Sequence, residues 1–230
     1  MPHFTAHFMD VAQYIFIAFP AIFVILNPLM AASTFMSMTV GIDEQAQTKI
    51  AKRASISALV VMAVFIFAGH LIFRIFGITV EAFRIAGGII LFTVGMQMLK
   101  LQTVRIKQTE EEKEDMLKRQ HQDIGVIPLG VPVMCGPGTI TTILVLTADI
   151  DWHNKFLGIL EMGGLLFSSI LSVILIYYIL VHSRRLMDVL KVTGIGVMTR
   201  IMGLILTVIA TQFVINGLRD LLPKFAKLLS

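Results

Sequence analysis

Long apolar runs broken by short charged islands set the plan of this chain. Six runs stand out: Val11–Met38, Ser55–Phe76, Ala82–Leu99, Ile124–Ala148, Phe156–Val181 and Ile201–Leu218. A hydrocarbon core of ~30 Å takes roughly 20 apolar residues of helix to cross, so each run predicts a membrane-spanning helix. The pattern therefore predicts an all-α integral membrane protein with six transmembrane helices. Six spans and their connections use nearly all of the sequence and leave no room for a soluble catalytic domain.

Composition agrees with the pattern. Of the 230 residues, 56% are hydrophobic and 15% charged, with a mean hydropathy of +0.83, whereas soluble domains carry about 25% charged residues. The leader Met1–Asp10 has no Lys or Arg, and the first apolar run is longer than the ~7–15 residues of a signal h-region, so the first span is expected to be retained. Cys135 is the single cysteine and lies within a span, which excludes an intramolecular disulfide framework. The net charge of +4 is better explained by membrane topology than by nucleic acid. With the N-terminus outside, twelve basic residues fall in inner loops: Lys49, Lys52, Arg53, Lys100, Arg105, Lys107, Lys113, Lys118, Arg119, Arg184, Arg185 and Lys191. Six fall outside: Arg74, Arg84, Lys155, Arg219, Lys224 and Lys227. The bias predicts that both termini face outwards, the C-terminal trio dissenting.

The polar stretch Gln102–Asp123 divides the chain into an N-terminal three-helix repeat (1–101), a charged cytoplasmic linker (102–123) and a C-terminal three-helix repeat (124–230). The halves resemble one another. RIAGGIILFTVG (Arg84–Gly95) opens the third span and RIMGLILTVIAT (Arg200–Thr211) the sixth, so Arg-Ile-x-Gly starts the last helix of each half. ILNPLMAAST (Ile25–Thr34) lies opposite VMCGPGTITT (Val133–Thr142). An odd number of spans per half makes the second half enter the membrane from the opposite side, an inverted repeat of the kind found in secondary transporters.

The first helix of each repeat is interrupted, at Asn27-Pro28 and at Gly136-Pro137-Gly138. A proline inside a helix removes a donor and frees the carbonyl four residues earlier, here Val24 and Val133. In hydrocarbon such a group needs a protein, water or ion partner. Proline suits a first helical position behind an Asn or Gly cap, so half-helices are expected to start at Pro28 and Pro137. Their N-termini would face one mid-membrane cavity and attract an anionic group such as a carboxylate, with the freed carbonyls receiving an ammonium. Ser33, Thr34, Thr139, Thr141 and Thr142 follow the breaks and offer hydroxyls. Paired breaks in two related halves favour a site; kinks that only ease helix packing are the plainer alternative.

Neither broken span has a charged residue near its centre, which favours a neutral or zwitterionic solute. Gln97 and Gln212, one place apart in the repeat alignment, either tie helices together or line the cavity. Glu161 is the candidate for proton coupling, although its depth suits the outer interface. Arg84 and Arg200 read as helix-end residues that snorkel. The six histidines lack metal-ligand spacing, and neither a nucleophile–base pair nor a phosphate-cradling loop is present, so no enzyme activity, metal or cofactor is expected.

At FPAIFVILNPLMAASTF (Phe19–Phe35), RIAGGIILFTVGMQML (Arg84–Leu99) and IPLGVPVMCGPGTITTIL (Ile127–Leu144) the chain resembles the MarC family of bacterial and archaeal inner-membrane proteins. The resemblance covers essentially the whole chain. It implies a location in the inner membrane and transport of a small neutral amino acid such as glycine or alanine, with Asn27, Pro28, Gly136, Pro137, Gly138 and Thr139 as the positions carried over. The expected function is a secondary transporter or exporter working by alternating access, whose partners are that solute and the bilayer and not nucleic acid. The rivals are an uncoupled pore for a small solute or ion and a non-transporting scaffold or sensor.

Overall fold

The computed structural model describes residues 2–100, 134–150, 152 and 154–229, and among them every regular element is a helix. In chain order these are α1 (Pro2–Ile25), α2 (Pro28–Met38), α3 (Glu44–Phe76), α4 (Val80–Leu99), α5 (Pro137–Ala148), α6 (Lys155–Val181) and α7 (Ser183–Leu229). Among the described residues, five segments are long and apolar enough to cross a membrane: Val11–Met38, Glu44–Gly69, Val80–Leu99, Lys155–Val181 and Thr193–Pro223. The expected fourth span is represented by α5, which is shorter. The rest of it (124–133, with Pro128 and Pro132) and the linker 102–123 lie outside the described residues.

Local chemistry sets the boundaries. The Asp43 carboxylate accepts the Ala46 N–H at 3.0 Å and starts α3, while Gly77, in the left-handed region at φ 63°, ends it. Helix therefore begins well before the apolar run at Ser55, and Lys49, Lys52 and Arg53 are helical rather than in a loop. Asn154 Oδ1 accepts from Phe156 N and Leu157 N at 3.1 and 3.3 Å, fixing the start of α6. The last helix also begins earlier than its apolar run, at Ser183, and bends at Lys191, whose φ of 51° is non-helical.

The interior is apolar and close-packed, with Ile22, Leu26, Phe35, Met62, Ile66, Met134, Ile143, Leu165 and Ile176 all buried. The exterior is apolar too: Phe16 is 82% exposed and Phe67 and Ile159 each 65%. Water would penalise such a surface, whereas lipid solvates it. Since lipid is as apolar as the side chains, helix association depends on close packing. The antiparallel pair α4 and α7 shows how: a Cβ on Gly95 would lie 2.9 Å from the Gly203 carbonyl oxygen, and one on Gly88 2.7 Å from that of Ala210. Only glycine lets these backbones meet. The Arg-Ile-x-Gly motif thus supplies, in Gly203, part of the contact between the last helices of the two halves.

Two ends of the molecule follow from the helix directions. α3, 33 residues long and so about 50 Å, carries the chain from the Val40-Gly41 turn to the Gly77 turn, and α6 runs back. The α2–α3 turn and the α6–α7 junction share one end. The start of α4 and the end of α5 share the other.

Candidate functional site

The first break is a half-helix junction. α1 stops at Ile25, and α2 starts at Pro28 behind Asn27. Asn27 adopts φ 49°, ψ 68°, a left-handed conformation that Asn tolerates better than most residues. Its Oδ1 accepts the Met30 N–H at 3.3 Å, and its Nδ2 faces the sulfurs of Met30 and Met98, each at 3.7 Å. The expected cap is present. The Val24 carbonyl, however, is not left for a cationic ligand: the Asn27 N–H takes it at 3.1 Å in a tightened last turn.

The second half-helix, α5, begins at Pro137 behind an extended Gly136 that has no side chain to cap it. Gly138 then packs closely. A Cβ there would lie 3.0 Å from Ile25 Cδ1 and 3.3 Å from Leu91 Cδ2. The second residue of α5 therefore meets the last residue of α1. From this meeting point α2 runs to the Val40 end and α5 to the opposite end, where Asp149 follows it. The starts of the two half-helices are thus neighbours in the interior.

The hydroxyls after the breaks are engaged locally. Thr139, buried, donates to the Met134 carbonyl at 3.0 Å, spanning the break. Thr142, buried, donates to the Gly138 carbonyl at 3.0 Å. Ser33, exposed, donates to Leu29 O at 2.8 Å, and Thr34 is half-buried beside it. Thr141 packs its methyl towards Gly87, where a Cβ would collide with it. Gln97 is half-buried on α4, next in sequence to the Met98 that reaches Asn27. Gln212 is exposed and donates to Asn216 Oδ1 at 2.8 Å along its own helix, away from the breaks. The structure thus brings together Asn27, Pro28, Gly136, Gly138, Thr139 and Thr142, and leaves Ser33 and Gln212 on the outside.

Two charged residues are enclosed by neighbouring helices. Glu161, near the start of α6, is buried at 8% exposure. It lies about one turn before Gly164, whose position packs against Tyr14 and Ile15 of α1. The Tyr14 hydroxyl donates to Leu146 O at 2.8 Å, so this group joins α1, α5 and α6 away from the breaks. Arg84 does not snorkel: it pairs with Asp149 after α5 and Asp220 on α7. Arg200, its repeat counterpart, is exposed. Sequence reasoning missed this cluster because its members come from three helices. The only local signal was an Arg opening a span that otherwise lacks positive charge.

A cavity of about 840 Å³ opens at the Val40 end, lined by Thr39, Asp43, Gln47, His182 and Arg184 among others. It lies beyond α2 from the breaks, whereas the sequence suggested a cavity at the breaks themselves. Among the described residues, no group of His, Cys, Asp or Glu could hold a metal ion.

Apolar outer surfaces, several crossing helices and interrupted helices meeting in the interior define a multi-pass integral membrane protein. The comparisons give its family. Residues 12–222 match the family model of the MarC family integral membrane protein, and the chain belongs to that family. It is 36% identical to the UPF0056 membrane protein MJ1677 of Methanocaldococcus jannaschii, over 91% of this chain and 98% of the relative. It is 32% identical to UPF0056 membrane protein YhcE of Escherichia coli, over 94% and 96%. With YvbG of Bacillus subtilis the figures are 31% identity over 92% and 97%. No solved structure matches it.

Proposed function

We propose that this protein is a secondary transporter or exporter of a small neutral, zwitterionic solute, a neutral amino acid such as glycine or alanine, working by alternating access across the inner membrane. The observation that carries the reading is the meeting of the two half-helix starts, where Gly138 of α5 packs on Ile25 at the end of α1. Two neighbouring helix N-termini supply partial positive charge where a carboxylate needs it. Six spans arranged as inverted repeats account for the way α2 and α5 leave that point in opposite directions. The cavity at the Val40 end is the inward-open vestibule of such a carrier. Glu161, buried beside α1, is the residue for proton coupling.

A scaffold is the second reading, and one observation favours it: the place beside Gly138 is filled by Ile25 and Leu91. The two readings part in one experiment. Purified protein is screened for thermal stabilisation by neutral amino acids, and each hit is tested for flux in proteoliposomes. Concentration-dependent stabilisation with saturable flux supports transport. Flux that rises linearly without saturation marks a pore, and neither effect with any neutral amino acid leaves the scaffold.

A further inference from the structure

We infer that the Arg84–Asp149–Asp220 cluster is the gate closing the end of the molecule opposite the cavity. The gate presupposes that the protein alternates between two open states. Arg84 opens α4 in the first half, while Asp149 follows the second half-helix and Asp220 lies on α7. One guanidinium therefore holds three helices from both halves together. Its side chain is only 15% exposed, against 34% for Asp149 and 33% for Asp220, so the pairs lie at a mouth rather than on an open surface. Arg219, 3.4 Å from Asp220, balances the second carboxylate.

Packing below the cluster completes the seal. The α5 residues between Asp149 and the break press on α3 and α4: a Cβ on Gly69 would lie 3.1 Å from Leu144 Cδ2 and 3.3 Å from Thr147 Cγ2, and Thr141 fills the space at Gly87. All of these contacts are made by α5, the half-helix whose far end Arg84 grips. Moving α5 away from α3 and α4 would open a path from this end to the break, and that movement requires the ion pairs to part. Arg84 Nε is buried without a hydrogen-bond partner, so the closed arrangement leaves one donor unused. The pairing is thus strong enough to close the mouth and incomplete enough to be exchanged. The 840 Å³ cavity at the other end agrees with this mouth being the shut one.

Cys135 offers a direct readout. It is the single cysteine, 1% exposed, and sits at the second break. Its reaction with a membrane-impermeant maleimide is followed in oriented vesicles of both sidedness, with no solute present. Ile78→Cys in a Cys135→Ser background identifies the side that Arg84 faces. Arg84→Gln is expected to speed Cys135 labelling about 5–30-fold from that side only, the population change that follows loss of a partly buried pair. Asp149→Asn should do the same to a smaller degree, and Arg84→Lys, which keeps the charge but not the two-pronged fork, should fall between wild type and Arg84→Gln. Labelling unchanged in both neutral variants overturns the gate, as does acceleration from both sides with loss of a monodisperse species. If Arg84→Gln does not fold, Asp149→Asn alone decides. Absence of solute flux in the transport assay would leave this readout intact, so the two failures are separable.

Discussion

Gly138 packs on Ile25: a side chain at the second residue of α5 would meet the last residue of α1 at 3.0 Å. The contact couples the breaks of the two halves, so a change at one is felt at the other. The neighbouring atom is the far end of a flexible side chain, which can yield by a few tenths of an ångström. Gly138→Ala should therefore lower stability by about 1 kcal/mol or less, and Gly138→Val by about 1–3 kcal/mol, the range for overpacked interiors. Thermal unfolding in detergent measures both. Equal stability of the valine variant and wild type would mean that the breaks are not in contact.

Asn27 combines two roles that substitution can separate. The sequence alone assigns Asn27→Ala only the loss of a cap, about 1 kcal/mol. Its φ of 49° adds the left-handed strain of a residue with a plain Cβ, about 1–2 kcal/mol more. Asn27→Gly keeps the backbone conformation and costs a few tenths as a cap, while removing the amide that faces Met98. Alanine should thus lower the melting temperature clearly and glycine little. With a solute that stabilises wild type, a glycine variant that melts normally yet has lost that stabilisation locates the solute at the first break. Normal solute response in the glycine variant would place it elsewhere.

How much of this was legible beforehand depended on whether a residue's role was local. Asn27-Pro28 and Gly136-Pro137 announced their half-helices because caps and proline act within one turn, and the structure starts α2 and α5 at those prolines. Helix lengths were less legible. The polar first turns of α3 hold no hydropathic signal, and it is the Asp43 cap that starts the helix there. Tertiary matters were lost. Nothing local says that Met98 reaches Asn27 or that Arg84 finds Asp149 and Asp220, since those meetings depend on how helices cross. Likewise Thr139 and Thr142 looked like free hydroxyls because sequence does not reveal that nearby carbonyls already accept them.

Orientation is tested by two turns at opposite ends. Val40, 77% exposed after α2, and Ile78, 39% exposed after α3, are separated by the length of α3. The excess of Lys and Arg predicts a cytoplasmic Val40 end. In a Cys135→Ser background, Val40→Cys should react with an impermeant maleimide only in inside-out vesicles, and Ile78→Cys only in intact cells. The reverse pattern would invert the molecule and make the 840 Å³ cavity outward-facing. Reaction of both from one side would refute α3 as a span.

Thr139 provides the sharpest distinction between a structural and a solute-binding hydroxyl. Its Oγ1 donates to the Met134 carbonyl across the second break, at 2% exposure. Thr139→Val keeps the volume but withdraws the only hydroxyl at that position, leaving a buried carbonyl without this donor; the expected loss is about 1–3 kcal/mol. Thr139→Ser retains the donor and gives up one methyl, so it should lie within about 1 kcal/mol of wild type. If the hydroxyl serves only the break, solute affinity measured on folded protein is the same in the serine and valine variants. If it also reaches a bound zwitterion when α5 moves, valine should weaken that affinity beyond its effect on melting, and serine should not. Thr142, which bonds to Gly138 O within the same helix, is the internal comparison: an i−4 carbonyl keeps its helical N–H partner, so Thr142→Val should cost less stability than Thr139→Val. A reversed order would show that the Met134–Thr139 bond does not hold the break together.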